Sequence, residues 1–189
     1  MPAADILIRG TREVDWPLVR AFRIENATEH PISFGASLEH VLALTEGDWR
    51  MRARRGEQDD AASFVAIEQE TGRWVGMMSA QSHDDEGEDP VLTGVYVVPE
   101  YRSRTPKVAD QLMALVIQWA LPRTTRLRLY VYEGSEPAIR FYRRHSFSPT
   151  GRTRPHKFAP GDLLELARPL DEAAPRDDAS GSLPSSPLP

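Results

Sequence analysis

Three cations lie close together where a predicted strand gives way to a predicted helix. Arg102, Arg104 and Lys107 follow the apolar strand pattern of residues 95–98 and precede or open the helix pattern of residues 106–120. The first backbone N–H groups of a helix have no partner inside it, and the helix dipole adds partial positive charge there. A basic loop between a strand and a helix is therefore typical of a site for a phosphorylated ligand. A solvated basic patch is the alternative interpretation.

A second candidate for chemistry is Tyr142. It lies in the segment AIRFYRR, within a helix predicted over residues 135–145 that follows a strand predicted over residues 127–132. A phenol close to a reacting group can act as a general acid. A tyrosine packed against a sheet with a structural hydrogen bond explains the same segment. Taken by itself, this tyrosine favours the packed interpretation, and a catalytic role follows only from the family resemblance given below.

Composition excludes several classes of site. The 189 residues contain no cysteine, which excludes disulfides, thiolate metal sites and a cysteinyl acyl-enzyme. His30 and His40 lack the spacing of metal ligands, so no metal is predicted. A net charge of −5 argues against a nucleic-acid partner. No apolar run approaches the roughly 18 residues that cross a bilayer, so no membrane association is predicted. The N-terminus does not resemble a signal peptide, and a cytoplasmic protein is the expectation.

Periodicity predicts one mixed α/β domain over residues 1–170, with six or seven strands and about four helices. The acidic run HDDEGEDP is interpreted as a solvated loop, and the Pro-, Ser- and Asp-rich residues 171–189 as a disordered tail. Strands are predicted near residues 5–9, 63–68, 73–82, 91–98 and 127–132, with a closing hairpin between residues 147 and 166. Helices are predicted as a short one from residue 16, and over residues 37–44, 48–55, 106–120 and 135–145.

Two segments in this order resemble the GCN5-related N-acetyltransferase (GNAT) superfamily. VYVVPEYRSRTPKVADQL is similar to the family's fourth strand and acetyl-CoA loop, and EGSEPAIRFYRRHSF to the family's motif near the C-terminus. The resemblance implies an α+β fold whose mostly antiparallel sheet is splayed between strands 4 and 5. It implies an N-acetyltransferase that uses acetyl-CoA without a metal, by direct attack of a primary amine in a ternary complex.

The resemblance also implies site residues. Tyr142 is expected to protonate the leaving thiolate, and the backbone of Val95 and Val97 to bond the acetyl and pantetheine groups. The remaining cofactor-binding residues that it implies are Arg102, Ser103, Arg104, Thr105, Lys107, Val108, Ala109 and Ser135.

The cofactor loop departs from the family pattern, and two alignments of it stay open. Counted forward from Pro99, the family's arginine falls on Arg102; counted backward from Ala109, it falls on Arg104. Ser103 and Thr105, or Lys107 in the other alignment, replace glycines that let the backbone approach a diphosphate closely. The charges and hydroxyls of the loop are expected to compensate for the lost glycines.

The acceptor is expected to be a small-molecule or peptide amine, with a cationic or polar amine suiting the acidic balance. Its region includes His30 and His40, and the aromatic residues Trp16, Phe22, Phe34 and Trp49 are either pocket walls or core. No general base is assigned, because Tyr130 stands where some family members have a glutamate. A homodimer is one possible state, since relatives are often dimers. The alternatives are a catalytically weak acyl-CoA-binding or sensing module and transfer of a larger acyl group.

Overall fold

One sheet of seven strands organises the part of the chain that the computed structural model describes, which is residues 5–29, 37–85, 87–102 and 107–170. The strands are β1 (Ile6–Gly10), β2 (Ala61–Glu68), β3 (Trp74–Gln81), β4 (Val91–Val97), β5 (Arg126–Tyr132), β6 (Ser148–Pro155) and β7 (Asp162–Pro169). Their order across the sheet is β1-β2-β3-β4-β5-β7-β6. The predicted mixed, mostly antiparallel fold is confirmed.

Neighbouring strands are antiparallel except for β4 and β5, which run parallel. The Cα partners in this parallel pair are Val91 with Arg128 and Leu92 with Leu129. Beyond Leu92, residues 93–97 of β4 pair with β3 on one side and have no described strand partner on the other. The predicted splay between the fourth and fifth strands is therefore present.

Five α-helices lie in the described residues: α1 (Trp16–Glu29), α2 (Leu38–Ala43), α3 (Glu46–Ala53), α4 (Val108–Ala120) and α5 (Glu136–Arg144). The prediction of a short first helix was wrong, since α1 has 14 residues. Ser37 caps α2 as expected, by accepting from the His40 N–H. A capping box between Thr45 and Asp48 starts α3 two residues earlier than predicted. No described helix is long and apolar enough to cross a membrane.

Helix α4 packs directly against β3 at Gly76. A Cβ atom at Gly76 would lie 2.8 Å from Cγ1 of Val108 and 3.0 Å from Cδ1 of Leu112, so only glycine permits this close approach. Val108, Leu112 and Val116 are completely buried. This contact places the start of α4 next to the end of β4, because Gly76 is the Cα partner of Val97.

The buried face of α4 is slightly rotated from the predicted one. The helical spacing of Val108, Leu112, Leu115, Val116 and Trp119 predicts one buried face. Leu115 and Trp119 are nevertheless only partly buried. Met113 and Ala120 are completely buried instead. The difference arises because residues one position apart on a helix are 100° apart, so a small rotation about the axis exchanges neighbours at the edges of the stripe.

A buried ion network lies at the end of the gap where β4 and β5 still pair. Arg128 is 1% exposed. Its Nη2 donates to Asp84 at 2.7 Å and its Nη1 to Glu165 at 3.3 Å. Burial by itself raises the pKa of Glu165, but hydrogen bonds from Tyr130 and Arg128 outweigh it and hold that pKa below its ordinary value. The interpretation of the acidic run as a wholly solvated loop was wrong for Asp84.

The predicted tail, residues 171–189, lies outside the described residues, and the domain boundary at residue 170 stays a prediction. Leu170 is buried, and its N–H donates to the Thr125 carbonyl at 2.8 Å.

Replacing Arg128 tests whether the ion network supports the fold. Arg128→Met should lower the free energy of unfolding by about 3–5 kcal/mol, because it leaves the buried Glu165 carboxylate without its cation. Arg126→Ala is the matched control, since Arg126 forms an exposed pair with Asp89 and should cost about 0–1 kcal/mol. Urea unfolding near neutral pH measures both losses, and equal losses would contradict the prediction.

The same comparison has a defined pH dependence. The lowered pKa of Glu165 in the folded protein contributes stability that is present above the unfolded carboxyl pKa of about 4.3 and is lost as pH falls through the folded value. Arg128→Met removes a cause of that lowering. The difference in the free energy of unfolding between wild type and variant should therefore become smaller at acid pH.

Candidate functional site

An extra residue in β4 opens the gap beside β5. The Cα partners Met77–Tyr96 and Ser79–Thr93 enclose one residue on β3 and two, Gly94 and Val95, on β4. Gly94 has φ +61°, which is in the left-handed region. Such a β-bulge bends its strand and increases the local twist. The bulge follows directly on the last paired position with β5, and it accounts for the divergence of the two strands.

The backbone of Val97 faces this gap. The Val98 N–H donates to the Val75 carbonyl at 3.0 Å, so Val98 is bonded toward β3. Because N–H and C=O directions alternate along a regular strand, those of Val97 point the other way, into the gap. Val95 lies within the bulge on the same stretch of β4. The Val97 carbonyl accepts a 2.8 Å bond from Nε of Arg102, which agrees with this orientation.

Arg102 lies at the mouth of the gap and joins β4 to α1. Besides Val97, its guanidinium contacts Glu29 at the end of α1, with Nη2 3.2 Å from Oε2. It also lies over the ring of Tyr96, 5.7 Å from the centroid, and the Tyr96 hydroxyl donates to Glu29. Burial and Glu29 raise the pKa of Tyr96, which keeps this hydroxyl a donor. Ser103, Arg104 and Thr105 lie outside the described residues.

The start of α4 is held beside the end of α5. Lys107 is exposed at the N-cap, Val108 is buried against the sheet, and Ala109 is partly buried. Asp110 in the first turn accepts from Nη2 of Arg144 and pairs with Nε2 of His145, both at 2.7 Å. Burial raises the pKa of Asp110, but the bonds from Arg144 and His145 outweigh it and lower that pKa below its ordinary value.

Ser135 occupies the N-cap position of α5. Its N–H donates to the Tyr132 carbonyl at 2.9 Å, and its carbonyl accepts from Ile139 at 3.0 Å. Its side chain makes no capping hydrogen bond to a described residue. The Ser135 hydroxyl is thus available where β5 ends and α5 begins.

Tyr142 lies on the buried face of α5. Its ring packs edge-on against Phe141 and Phe147, with centroid distances of 5.5 and 5.9 Å. Burial raises its pKa, so the phenol is neutral across the physiological range. Its hydroxyl has no hydrogen-bond partner among the described residues. The structural hydrogen bond considered as an alternative from the sequence is not found in that part of the chain.

A cavity of about 320 Å³ lies beside the bulge. Thr93 and Gly94 form its wall on the sheet, with His40 of α2 among the helical residues opposite. The region expected to take the acceptor thus contains a cavity. His30 and Phe34 lie outside the described residues.

Of the four aromatic residues considered as pocket walls, the three in the described part of the chain do not line this cavity. Phe22 and Trp49 are buried in the core, with 4% and 1% of their surfaces exposed. Phe22 packs edge-on against Tyr96 at 5.1 Å. Trp16 is partly buried beneath the guanidinium of Arg50. For these residues the core interpretation is supported.

Several residues at the site were not singled out from the sequence. Gly94 carried a usable signal, because glycine inside a strand pattern indicates a bulge. Arg23, Arg52 and Arg55 also line the cavity, and they come from α1, from α3 and from the 3₁₀ turn after α3. No local pattern relates these three arginines, since only packing of the helices on the sheet brings them together.

Comparison with known proteins agrees with this geometry. A model of the Acetyltransferase (GNAT) family matches residues 25–147. No curated protein sequence matches the chain significantly.

Solved structures with the same fold include three acetyltransferases. YncA, a putative acetyltransferase from Salmonella typhimurium with its cofactor acetyl-CoA, has a TM-score of 0.70 and 18% identity, over 92% of this chain and 99% of that one. A putative phosphinothricin N-acetyltransferase has a TM-score of 0.68 and 19% identity, over 89% and 100%. The ribosomal-protein-S5-alanine acetyltransferase from Vibrio fischeri has a TM-score of 0.68 and 13% identity, over 90% and 96%. At these identities the likeness is one of fold.

Proposed function

Because the chain belongs to the Acetyltransferase (GNAT) family, we propose that it transfers an acetyl group from acetyl-CoA to a primary amine by direct attack in a ternary complex. The observation that carries the proposal is the gap between β4 and β5 beside Val95 and Val97, whose backbone groups are assigned to the acetyl and pantetheine groups. An extended pantetheine arm can pair with such a strand edge as an added strand does. The absence of cysteine supports transfer without a cysteinyl intermediate.

The diphosphate is assigned to the start of α4. There the first N–H groups, at Val108 and Ala109, lack partners within the helix, and Lys107 adds a charge at its N-cap. Ser103, Arg104 and Thr105 precede this start in the sequence and remain assigned to the diphosphate by resemblance. Ser135, at the start of α5, is assigned a cofactor contact on the same basis.

Arg102 is assigned to the diphosphate when the cofactor binds. In this structure its Nε bonds the Val97 carbonyl, which faces the gap. An amide N–H of the pantetheine arm is proposed to take over this acceptor when the arm pairs with the edge of β4. The released guanidinium is then free to pair with the diphosphate, while Glu29 keeps it at the mouth of the gap.

Two protein groups are assigned to the chemistry, and water takes the proton of the amine. The Val95 N–H stabilises charge that develops on the thioester oxygen, since a preorganised backbone donor needs no reorganisation during the reaction. Tyr142 donates a proton to the departing thiolate, which its neutral, unpartnered hydroxyl can do. The amine enters through the cavity beside Gly94 and loses its proton to water there.

The acceptor is assigned to small molecules or peptide N-termini. The structural neighbours named for phosphinothricin and for a ribosomal-protein alanine represent these two classes. A cavity of about 320 Å³ is at the lower end of the range of small-molecule sites, roughly 300–1,000 Å³. It accommodates a compact amine or the first residue of a peptide.

Cofactor binding is the first test. Acetyl-CoA at about 100 times its Kd should add roughly 2.7 kcal/mol to the free energy of unfolding and raise the melting temperature. Lys107→Ala should weaken this effect, because it removes a charge beside the diphosphate. Lys157→Ala is the control, since Lys157 is the only other lysine and is also exposed.

Turnover is read separately from binding, by thiol release over a panel of amines. A protein that only binds acyl-CoA would give the melting shift without thiol release. No effect of coenzyme A at millimolar concentration would contradict the proposed function.

Tyr142→Phe tests the proton donor. The substitution should lower kcat about 10²–10⁴-fold at saturating acetyl-CoA and amine, because it removes only the acidic proton. The loss should be constant up to about pH 10, since the raised pKa keeps the wild-type phenol neutral there. Tyr101→Phe is the control, because the Tyr101 hydroxyl bonds Glu68 on β2. An unchanged kcat in Tyr142→Phe would exclude the role.

Gly94→Ala tests whether the bulge aims the backbone donor. Alanine at φ +61° should cost about 1–3 kcal/mol of stability, and relief of that strain should turn the Val95 N–H and lower kcat more than tenfold. Gly72→Ala is the control, since Gly72 has φ +72° in the turn between β2 and β3 and should lose stability but keep kcat. Steady-state kinetics beside urea unfolding separate the two effects. Equal kcat values in Gly94→Ala and Gly72→Ala would contradict the role of the bulge.

A further inference from the structure

Three arginines from three elements line the same cavity beside the bulge. Arg23 comes from α1, Arg52 from α3, and Arg55 from the 3₁₀ turn that follows α3. Gly94 lies in the opposite wall, and a Cβ built on it would be 3.8 Å from Nη1 of Arg23. The cluster is therefore next to the point where the proposed reaction takes place.

The three cations of the cluster repel one another, and the nearby Asp48 opposes the lowering of the Arg52 pKa without reversing it. Burial lowers the pKa of Arg23 to about 10, and repulsion from Arg52 and Arg55 adds to the effect. Burial also lowers the pKa of Arg55 to about 10, and repulsion from Arg52 is the second, smaller cause. All three remain protonated at neutral pH. Within the described residues, no carboxylate forms an ion pair with Arg52 or Arg55, whereas Arg9 and Arg128 both have such partners.

Two polar atoms at the cavity also lack partners. Oγ1 of Thr93 and Nε of Arg52 are buried without a hydrogen-bond partner in the described part of the chain. Buried polar atoms are normally satisfied, and those that are not often mark a place that a ligand or water completes. An anion bearing several oxygens would satisfy the Arg52 donor and offset the mutual repulsion of the arginines.

We propose that the acceptor amine carries an anionic group, either a carboxylate or a phosphorus oxyanion, that Arg23, Arg52 and Arg55 bind while its amine lies at Gly94. This inference rests on the proposed function. It reverses the expectation from composition, since a net charge of −5 suggested a cationic or polar amine. The charge within the cavity decides what enters it, because salt screens the distant surface carboxylates over about 8–10 Å.

Matched amines test the acceptor class. The test substrates are several L-amino acids that differ in side chain. Each is compared with its amide and with the amine that lacks the carboxyl group. A separate arm uses the 1-aminoalkylphosphonates with the same side chains. The best anionic amine should have a KM at least tenfold below those of its neutral partners. The KM values of the phosphonates, compared with those of the amino acids, show whether the cluster prefers a phosphorus oxyanion or a carboxylate.

Variants of the cluster test the assignment of residues. Arg52→Gln and Arg55→Gln should each raise the KM for the best anionic amine at least tenfold, with the KM for acetyl-CoA unchanged. Arg54→Gln is the matched control, because Arg54 is adjacent in sequence and its side chain is 53% exposed. The unliganded Arg55→Gln protein should melt at the same temperature as wild type or higher, since one repelling charge is removed, and this shows that the variant folds.

The outcomes separate this inference from the function on which it rests. Acetyl-CoA binding and turnover of neutral or cationic amines, with anionic amines no better, would overturn the inference and leave the acetyltransferase intact. Turnover of no anionic amine would also overturn it, as would equal KM effects in Arg54→Gln and Arg55→Gln. Absence of acetyl-CoA binding would instead overturn the proposed function.

Discussion

One extra residue in β4 separates this strand from β5 after two paired positions, and the arrangement of the site depends on that separation. A strand edge with unused N–H and C=O groups inside a protein must find other partners. Arg102 supplies one of them by bonding the Val97 carbonyl. A side chain thus satisfies part of the open edge of β4.

The closed end of the gap is as important as the open one. Arg128 is the Cα partner of Val91, so its buried pairs with Asp84 and Glu165 lie where the two strands are still joined. A buried cation without these carboxylates would be costly, and the network therefore discriminates against other registers of β4, β5 and β7. Divergence starts from a fixed point, which lets the bulge determine where the gap opens.

Charge is distributed unevenly over the molecule, and the local distribution matters more than the total. The chain is acidic overall, yet the cavity beside Gly94 is lined by three arginines. The mutual repulsion of these cations opposes folding. The adjoining core offsets this cost through contacts such as that of α4 with Gly76.

Local pattern in the sequence was sufficient for most of the secondary structure and for the family. Most strands and helices begin and end within two residues of the predicted bounds, because periodicity, caps and turn glycines act over a few residues. Ser37, the first residue of the helix predicted over residues 37–44, is an example, since it caps α2. The site residues that follow from motif order, above all Tyr142, were named on the same basis and remain predictions.

Tertiary structure alone decided which distant residues meet. It inserted β7 between β5 and β6, paired Arg128 with a carboxylate 37 residues away, and gathered Arg23 and Arg55 around one cavity. It also buried Trp49 in the core, although the sequence left open whether this ring lines a pocket. The physical reason is that periodicity reports which face of an element is apolar. Which side chains share a space depends on how those faces pack, and that is a property of the whole chain.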